Sequence, residues 1–173
     1  MPPYPGEVKT GIDWARLMES REAYIFNSLI GHHGIFSLTP IFLLSVIGMA
    51  VVLLRPRGTE VSEKEAPVSR LPYWYYALTA AVTVVVLGFY LVYRDDRNYG
   101  GWTSGPRWFF WLTPLWLLCM VPVADWLAQR KWGRALAIVL LAVSAFSASY
   151  PVWNPWRHPW LYEWMQYEQW IAY

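Results

Sequence analysis

Polar and apolar positions do not alternate along this chain; they segregate into blocks. Four strongly apolar, uncharged runs, Ile35–Leu54, Pro72–Tyr93, Trp108–Ala124 and Ala135–Trp156, are separated by short polar stretches. A membrane-crossing helix needs about 20 apolar residues at a rise of ~1.5 Å each. Only helices and closed barrels satisfy their backbone inside lipid, and these runs lack the period-two pattern of a barrel strand. The pattern predicts an all-α membrane protein of about four transmembrane helices, with the spanning region at 35–156.

The flanking segments carry different patterns. Residues 1–34 form an amino-terminal extension whose stretch Ile12–Leu29 reads as an amphipathic helix. Asp13 is placed to cap it, and Trp14, Leu17, Met18, Ile25 and Leu29 fall near one face. Gly31-His32-His33-Gly34 then breaks the helix. Thr39-Pro40 reads as an N-cap and first helical position, but that start leaves a short span. The first span is therefore expected to begin earlier and to kink at Pro40. Pro114 and Pro122 should bend the third helix and hold its middle away from its neighbours. In the fourth, Ser144, Ala145, Ser147, Ala148 and Ser149 offer a small-residue surface for another helix. The tail 157–173, rich in Trp, is expected to lie at the membrane surface.

Composition narrows the class. Hydrophobic residues make up 56% of the 173 positions and charged ones 15%, too few charges to clothe a soluble globule of this size. The 13 Trp include Trp74, Trp108, Trp132 and Trp153 at or beside helix ends, where indole rings favour the headgroup layer. A net charge of +2, without a basic stripe, gives no reason to expect nucleic acid. The single Cys119 cannot pair within the chain.

With four spans, the amino-terminal segment, the loop Arg94–Arg107 and the tail share one side. The seven Lys and Arg in the connectors 55–71 and 128–134 are denser than the seven spread over the rest of the chain. The positive-inside rule then puts those connectors in the cytoplasm and both termini outside. All three histidines fall on the outer side, with Arg94, Asp95, Asp96, Arg97, Arg107 and Arg157. Arg107, Asp95, Asp96, Arg97, His32, His33 and His158 are the candidate ligand-binding residues, gathered at the headgroup level.

Each has more than one reading. Gly31-His32-His33-Gly34 is either a metal half-site or a pair bonded to backbone at a helix break. Neighbouring ring positions diverge by ~100° on a helix, and metal pairs favour i,i+3 or i,i+4, so no metal or cofactor is assigned. Asp95-Asp96 between two arginines serves as a general base, a metal–pyrophosphate ligand or a solvated ion-pair cluster. Arg107 at a helix start suits a phosphate or anchors the headgroup layer. Asp125 is expected to pair with Arg130 or Lys131.

Three segments, GHHGIFSLTPIFLLSVIGM, DRNYGGWTSGPRWFFWLTPLWLL and SASYPVWNPWRHPW, resemble an uncharacterised family of bacterial polytopic membrane proteins over about Gly11 to Tyr162. That resemblance implies the bacterial inner membrane. More distantly, NYGGWTSGPRW is similar to the glycine-rich loop and following Arg of multi-span lipid-linked glycosyltransferases, toward their carboxy-terminal part. The likeness implies that Arg107 faces the phosphate of a polyprenyl carrier. Those enzymes have more spans, and their first outer loop carries a catalytic acid that this chain does not match. The partners expected are the bilayer, a polyprenyl phosphate or anionic lipid, and, if the chain is instead a non-catalytic subunit, a larger membrane complex.

Overall fold

The computed structural model describes residues 20–54, 71–95, 97–99 and 104–171, and these fold entirely into helices and connecting turns, without a strand among them. Three helical runs are long and apolar enough to cross a membrane: Tyr73–Tyr93, Arg107–Ala128 and Lys131–Ser149. Their outward surfaces are apolar, with Val84, Val85, Leu117, Ile138 and Leu141 exposed. The fourth apolar helix, Pro40–Leu53, is shorter.

Helix α1 (Arg21–Leu29) begins where Ser20, in extended conformation, accepts a hydrogen bond from Ala23 N–H at 3.2 Å. The expected helix from Ile12 to Leu29 is therefore broken at Ser20; Asp13, Trp14, Leu17 and Met18 lie outside the described residues. The turn at Ile30–Gly34 closes through Gly34 N–H to Gly31 O, and Ser37 Oγ donates to Gly31 O at 2.6 Å. A Cβ on Gly34 would sit 2.6 Å from both Ile30 N and Ser37 Oγ, so only glycine fits there.

The first apolar run starts at α2 (Ile35–Leu38), passes Thr39, and continues as a 3-10 turn (Pro40–Phe42) into α3 (Leu43–Leu53). It does begin before Pro40 and break there. Pro40 takes the first position of the 3-10 turn, but Thr39 makes no side-chain cap. The break frees the Ile41 N–H, which donates to Ser144 Oγ in the helix Lys131–Ser149 at 3.2 Å.

Helix α4 (Tyr73–Leu87) ends in a π-helical turn (Gly88–Tyr93). A 3-10 run (Arg107–Leu112) leads into α5 (Thr113–Ala128). Helix α6 (Lys131–Ser149) stops two residues before Pro151, short of the expected Trp156, because proline cannot continue it. The tail carries α7 (Trp160–Tyr167).

Two expectations about α5 are corrected. Pro114 occupies the first turn, where a missing N–H leaves no bond unmade, so only Pro122 lies in the helix interior. Nor does the middle of α5 stand apart. A Cβ on Gly48 of α3 would fall 2.0 Å from Cys119 O, so the two backbones meet closely one turn before Pro122. Bare glycine permits what the proline was expected to prevent. Trp116, 1% exposed, seals the same core and donates from Nε1 to Thr83 Oγ1 of α4 at 2.9 Å.

The small-residue surface of α6 is also partly used inside the chain. Ser144 and Ser147 are buried and bond to Ile41 N–H and Trp160 Nε1 respectively, while Ala145 and Ser149 face outward. Asp125 forms no ion pair among the described residues; Arg130 lies instead over the rings of Trp126 and Trp132, at 4.5 and 5.8 Å.

Gly48→Ala should lower stability in detergent by about 1–3 kcal/mol, the usual cost of overpacking, and a melt in dodecylmaltoside checks it. Single cysteines at Lys131 and Glu168, placed in a chain whose own Cys119 is buried, should label from opposite membrane faces. Labelling from one face would contradict the spans.

Candidate functional site

The chain ends of the long helices bring together the side chains that the sequence singles out. They do not form one pocket. They form a buried imidazole–tyrosine box and, beside it, an apolar cavity with an arginine on its wall.

The box draws on four segments. The glycine-bounded turn after α1 supplies His32 and His33, 1% and 3% exposed. Because the pair sits in a turn and not on a helix, the two rings converge: their centroids are 4.7 Å apart at 79°, and their Nδ1 atoms share a short hydrogen bond of 2.5 Å. Tyr99, from the loop after α4, stacks on His33 at 4.3 Å with an interplanar angle of 4°. His158 and Tyr162 of the tail stack on each other at 4.3 Å. His33 faces His158 at 5.8 Å and Tyr162 at 5.3 Å. Tyr24 of α1 packs against Tyr99 and donates to Asn98 O at 2.7 Å.

Burial pushes the His33 imidazole well below its ordinary range, and its neighbours His32 and His158 lower it further. Burial lowers His158 as well, with Glu163 pulling weakly the other way. At neutral pH His33 and His158 are therefore uncharged. Among the described residues no group of three His, Cys, Asp or Glu side chains is placed to hold a metal ion.

The tail is fixed beside the box by a second cluster. Arg157 Nη2 donates to Glu163 Oε2 at 2.6 Å and to Tyr150 OH at 2.7 Å, and Arg157 Nε donates to Glu163 Oε1 at 3.2 Å. Tyr150 OH closes the triangle by donating to Glu163. Burial alone would raise the Glu163 carboxyl, but the hydrogen bonds from Arg157 and Tyr150 outweigh it and hold it low.

Arg107 stands elsewhere. It lines a cavity of about 490 Å³ whose walls include Ile35, Leu38, Phe42, Phe110, Pro155 and Trp156. Its guanidinium lies over the Trp156 ring at 5.9 Å, and among the described residues no carboxylate pairs with it. Ser104 and Ser147, also on the lining, are engaged: Ser104 Oγ donates to Arg157 O at 3.2 Å, and Ser147 Oγ accepts from Trp160.

The predicted site residues thus divide. His32, His33 and His158 come together; Arg107 has the cavity, whose lining includes none of them. Asp95 is 98% exposed in its side chain and pairs with Arg21 of α1 at 3.2 Å, an ion pair in solvent. Arg97 is half-buried in the loop before Asn98 and Tyr99. Asp96 lies outside the described residues. Tyr99 and Trp156 lie in segments the sequence marks for chemistry, while Tyr150, Tyr162 and Glu163 lie outside them. The four-residue step from His158 to Tyr162 and the aromatic density of the tail were the available signals. No family model, curated protein or solved structure matches the chain.

Glu163 links this geometry to pH. Its carboxylate is held low in the folded state, so its contribution is present above about pH 4.3 and is lost as pH falls through its lowered value. Glu163→Gln should speed amide exchange in α7 at neutral pH by up to roughly fivefold, the scale of a half-exposed ion pair, as read by hydrogen-exchange mass spectrometry.

Proposed function

We propose that this chain is a membrane-embedded binding protein for an anionic amphiphile. The amphiphile's chain occupies the apolar cavity and its phosphate or other anionic head meets Arg107. The class spans a polyprenyl phosphate and an anionic membrane lipid. The observation that carries the reading is an arginine without a carboxylate partner among the described residues, set on the wall of an otherwise apolar cavity of about 490 Å³.

A guanidinium presents five N–H donors in a planar fork that matches phosphate oxygens two at a time. Trp156 holds the Arg107 group by its ring face and uses none of those donors as a hydrogen-bond acceptor. The apolar walls gain by excluding water from a hydrocarbon chain. A free sugar or nucleotide finds few partners there, since two of the lining hydroxyls are already engaged within the protein.

On this reading the Arg107 face is extracytoplasmic in a bacterial inner membrane, with both termini on that side and the dense basic connectors in the cytoplasm. Binding of the lipid-carrier class is the part of the glycosyltransferase likeness that the cavity supports; no residue is assigned to catalysis. The alternative, a subunit docking on a larger membrane complex through α6, has less support, because Ser144 and Ser147 serve contacts inside the chain.

Farnesyl phosphate titrated into the detergent-purified chain should bind saturably, and farnesol much more weakly. Arg107→Gln should weaken farnesyl phosphate by about tenfold or more, the value of a charge-assisted pair. Arg134→Gln, at the other end of α6, should leave it unchanged. Equal affinity in the Arg107→Gln and unaltered chains would remove the proposal.

A further inference from the structure

We propose that the Arg107 cavity is loaded sideways from the membrane. Its mouth lies between Phe110 and Ala148 and faces the leaflet on the Arg107 side. Its ligand is then a bilayer-resident anionic amphiphile whose chain stays continuous with that leaflet. The ligand's charge rests on the cavity reading above; the mouth does not.

The geometry starts at the far end of the two helices that flank the mouth. Helices α5 and α6 meet at their hairpin, where a Cβ on Gly133 of α6 would fall 2.3 Å from Leu127 O of α5. Toward the Arg107 end the cavity lies between them. Arg107, Phe110 and Thr113 line it on one side, and Ser147, Ala148 and Pro151 on the other. The remaining walls are unequal. Ile35, Leu38 and Phe42 close the inner side and are buried, whereas Phe110 is 62% exposed and Ala148 is exposed. That asymmetry is the mouth.

The mouth lies at chain depth. Phe110 and Ala148 both belong to runs long and apolar enough to cross a membrane, Arg107–Ala128 and Lys131–Ser149. Phe110 is one 3-10 turn in from Arg107, about 6 Å along the axis at ~2 Å per residue. The neighbouring exposed side chains, Trp111 and Phe146, are apolar too. Arg107 and Trp156 stand at the head end, where a guanidinium and an indole suit the headgroup layer.

Such a mouth changes what the site selects. Lipid tails are as apolar as the walls, so a chain that moves from leaflet to groove gains little. The charge-assisted contact of the head with Arg107 then supplies the discrimination. Chain length ceases to matter, because a chain longer than the cavity runs out through the mouth. A sealed cavity would behave otherwise. A water takes about 30 Å³ of liquid and a methylene is of similar size, so about 490 Å³ would be filled by about 16 carbons. Farnesyl phosphate, with fifteen carbons, fits either arrangement; geranylgeranyl phosphate, with twenty, fits only the open one.

Titrating both prenyl phosphates into the detergent-purified full chain, with bound copies counted by native mass spectrometry, tests this. The unaltered chain should bind the two within about threefold of each other. Ala148→Trp fills the mouth from its α6 side and should weaken geranylgeranyl phosphate by about tenfold more than farnesyl phosphate. If that variant fails to fold, Ala148→Leu should shift the ratio in the same direction. A second measurement needs no ligand. A nitroxide on Ala148→Cys, with Cys119 buried, is placed in vesicles of phosphatidylethanolamine and phosphatidylglycerol. It should collide more with oxygen, which concentrates among acyl chains, than with a water-soluble nickel chelate.

Geranylgeranyl phosphate tenfold or more weaker than farnesyl phosphate in the unaltered chain overturns the sideways mouth and leaves the cavity reading standing. An unchanged ratio in the folded Ala148 variants does the same, as does a nitroxide that favours the nickel chelate. If neither prenyl phosphate binds while the nitroxide favours oxygen, the mouth stands and the anionic reading falls.

Discussion

Inside lipid no water is available to a backbone N–H or C=O, so an irregular turn at membrane depth must find its partner within the chain. The fold follows from where that requirement is met. The long runs meet it by being helical. The breaks meet it with hydroxyls: Ser37 bonds Gly31 O at the histidine turn, and Ser144 accepts from Ile41 N–H at the proline break while donating to Leu140 O. At these positions serine mends the ladder that glycine or proline interrupts.

The irregular segments are not spread evenly. The turn Ile30–Gly34, the break at Pro40, the π turn Gly88–Tyr93 and the 3-10 run Arg107–Leu112 all lie toward one end of the bundle. Among the described residues, the opposite end carries a plain helical hairpin between α5 and α6, dressed by Arg130 between two indoles. Irregular backbone has room for side chains that regular packing excludes, and the histidine box and the Arg107 cavity occupy that room. Packing at mid-depth is the reverse case. There Gly48 lets α3 approach α5 to backbone contact, and Trp116 fills the adjoining space, leaving a dense and chemically quiet core.

Much of the architecture was legible in the sequence, because uninterrupted apolar length is a local signal. The spans and the break at Pro40 follow from counting. Helix ends were less legible: Pro151 marks the end of α6 correctly only if its punctuation outweighs the apolar residues beyond it. The consequence of Pro122 was misread because it depends on Gly48, 74 positions away, and no local pattern joins the two. The site was legible by residue type but not by grouping. Helical geometry would make His32 and His33 diverge, and the turn that makes them converge is set by glycines whose neighbours are unknown from sequence. Tyr99, Tyr162 and Glu163 gain meaning only when the tail folds back across the loop after α4.

That fold-back is where structure and chemistry meet. The tail contributes Trp156 to the cavity, Arg157 to the clamp and His158 to the box, three consecutive residues serving three separate clusters. Outside a helix, consecutive residues of a turn can point in different directions, so one short strip of chain can bind to three surfaces at once. Its position is then over-determined, and loosening one cluster strains the other two. A helix in the same place would present one face and would carry one cluster. Pro155 and Pro159 bracket the strip and keep it out of helical conformation. The prolines of the tail thereby join the cavity wall, at Trp156, to the imidazole–tyrosine box, at His158.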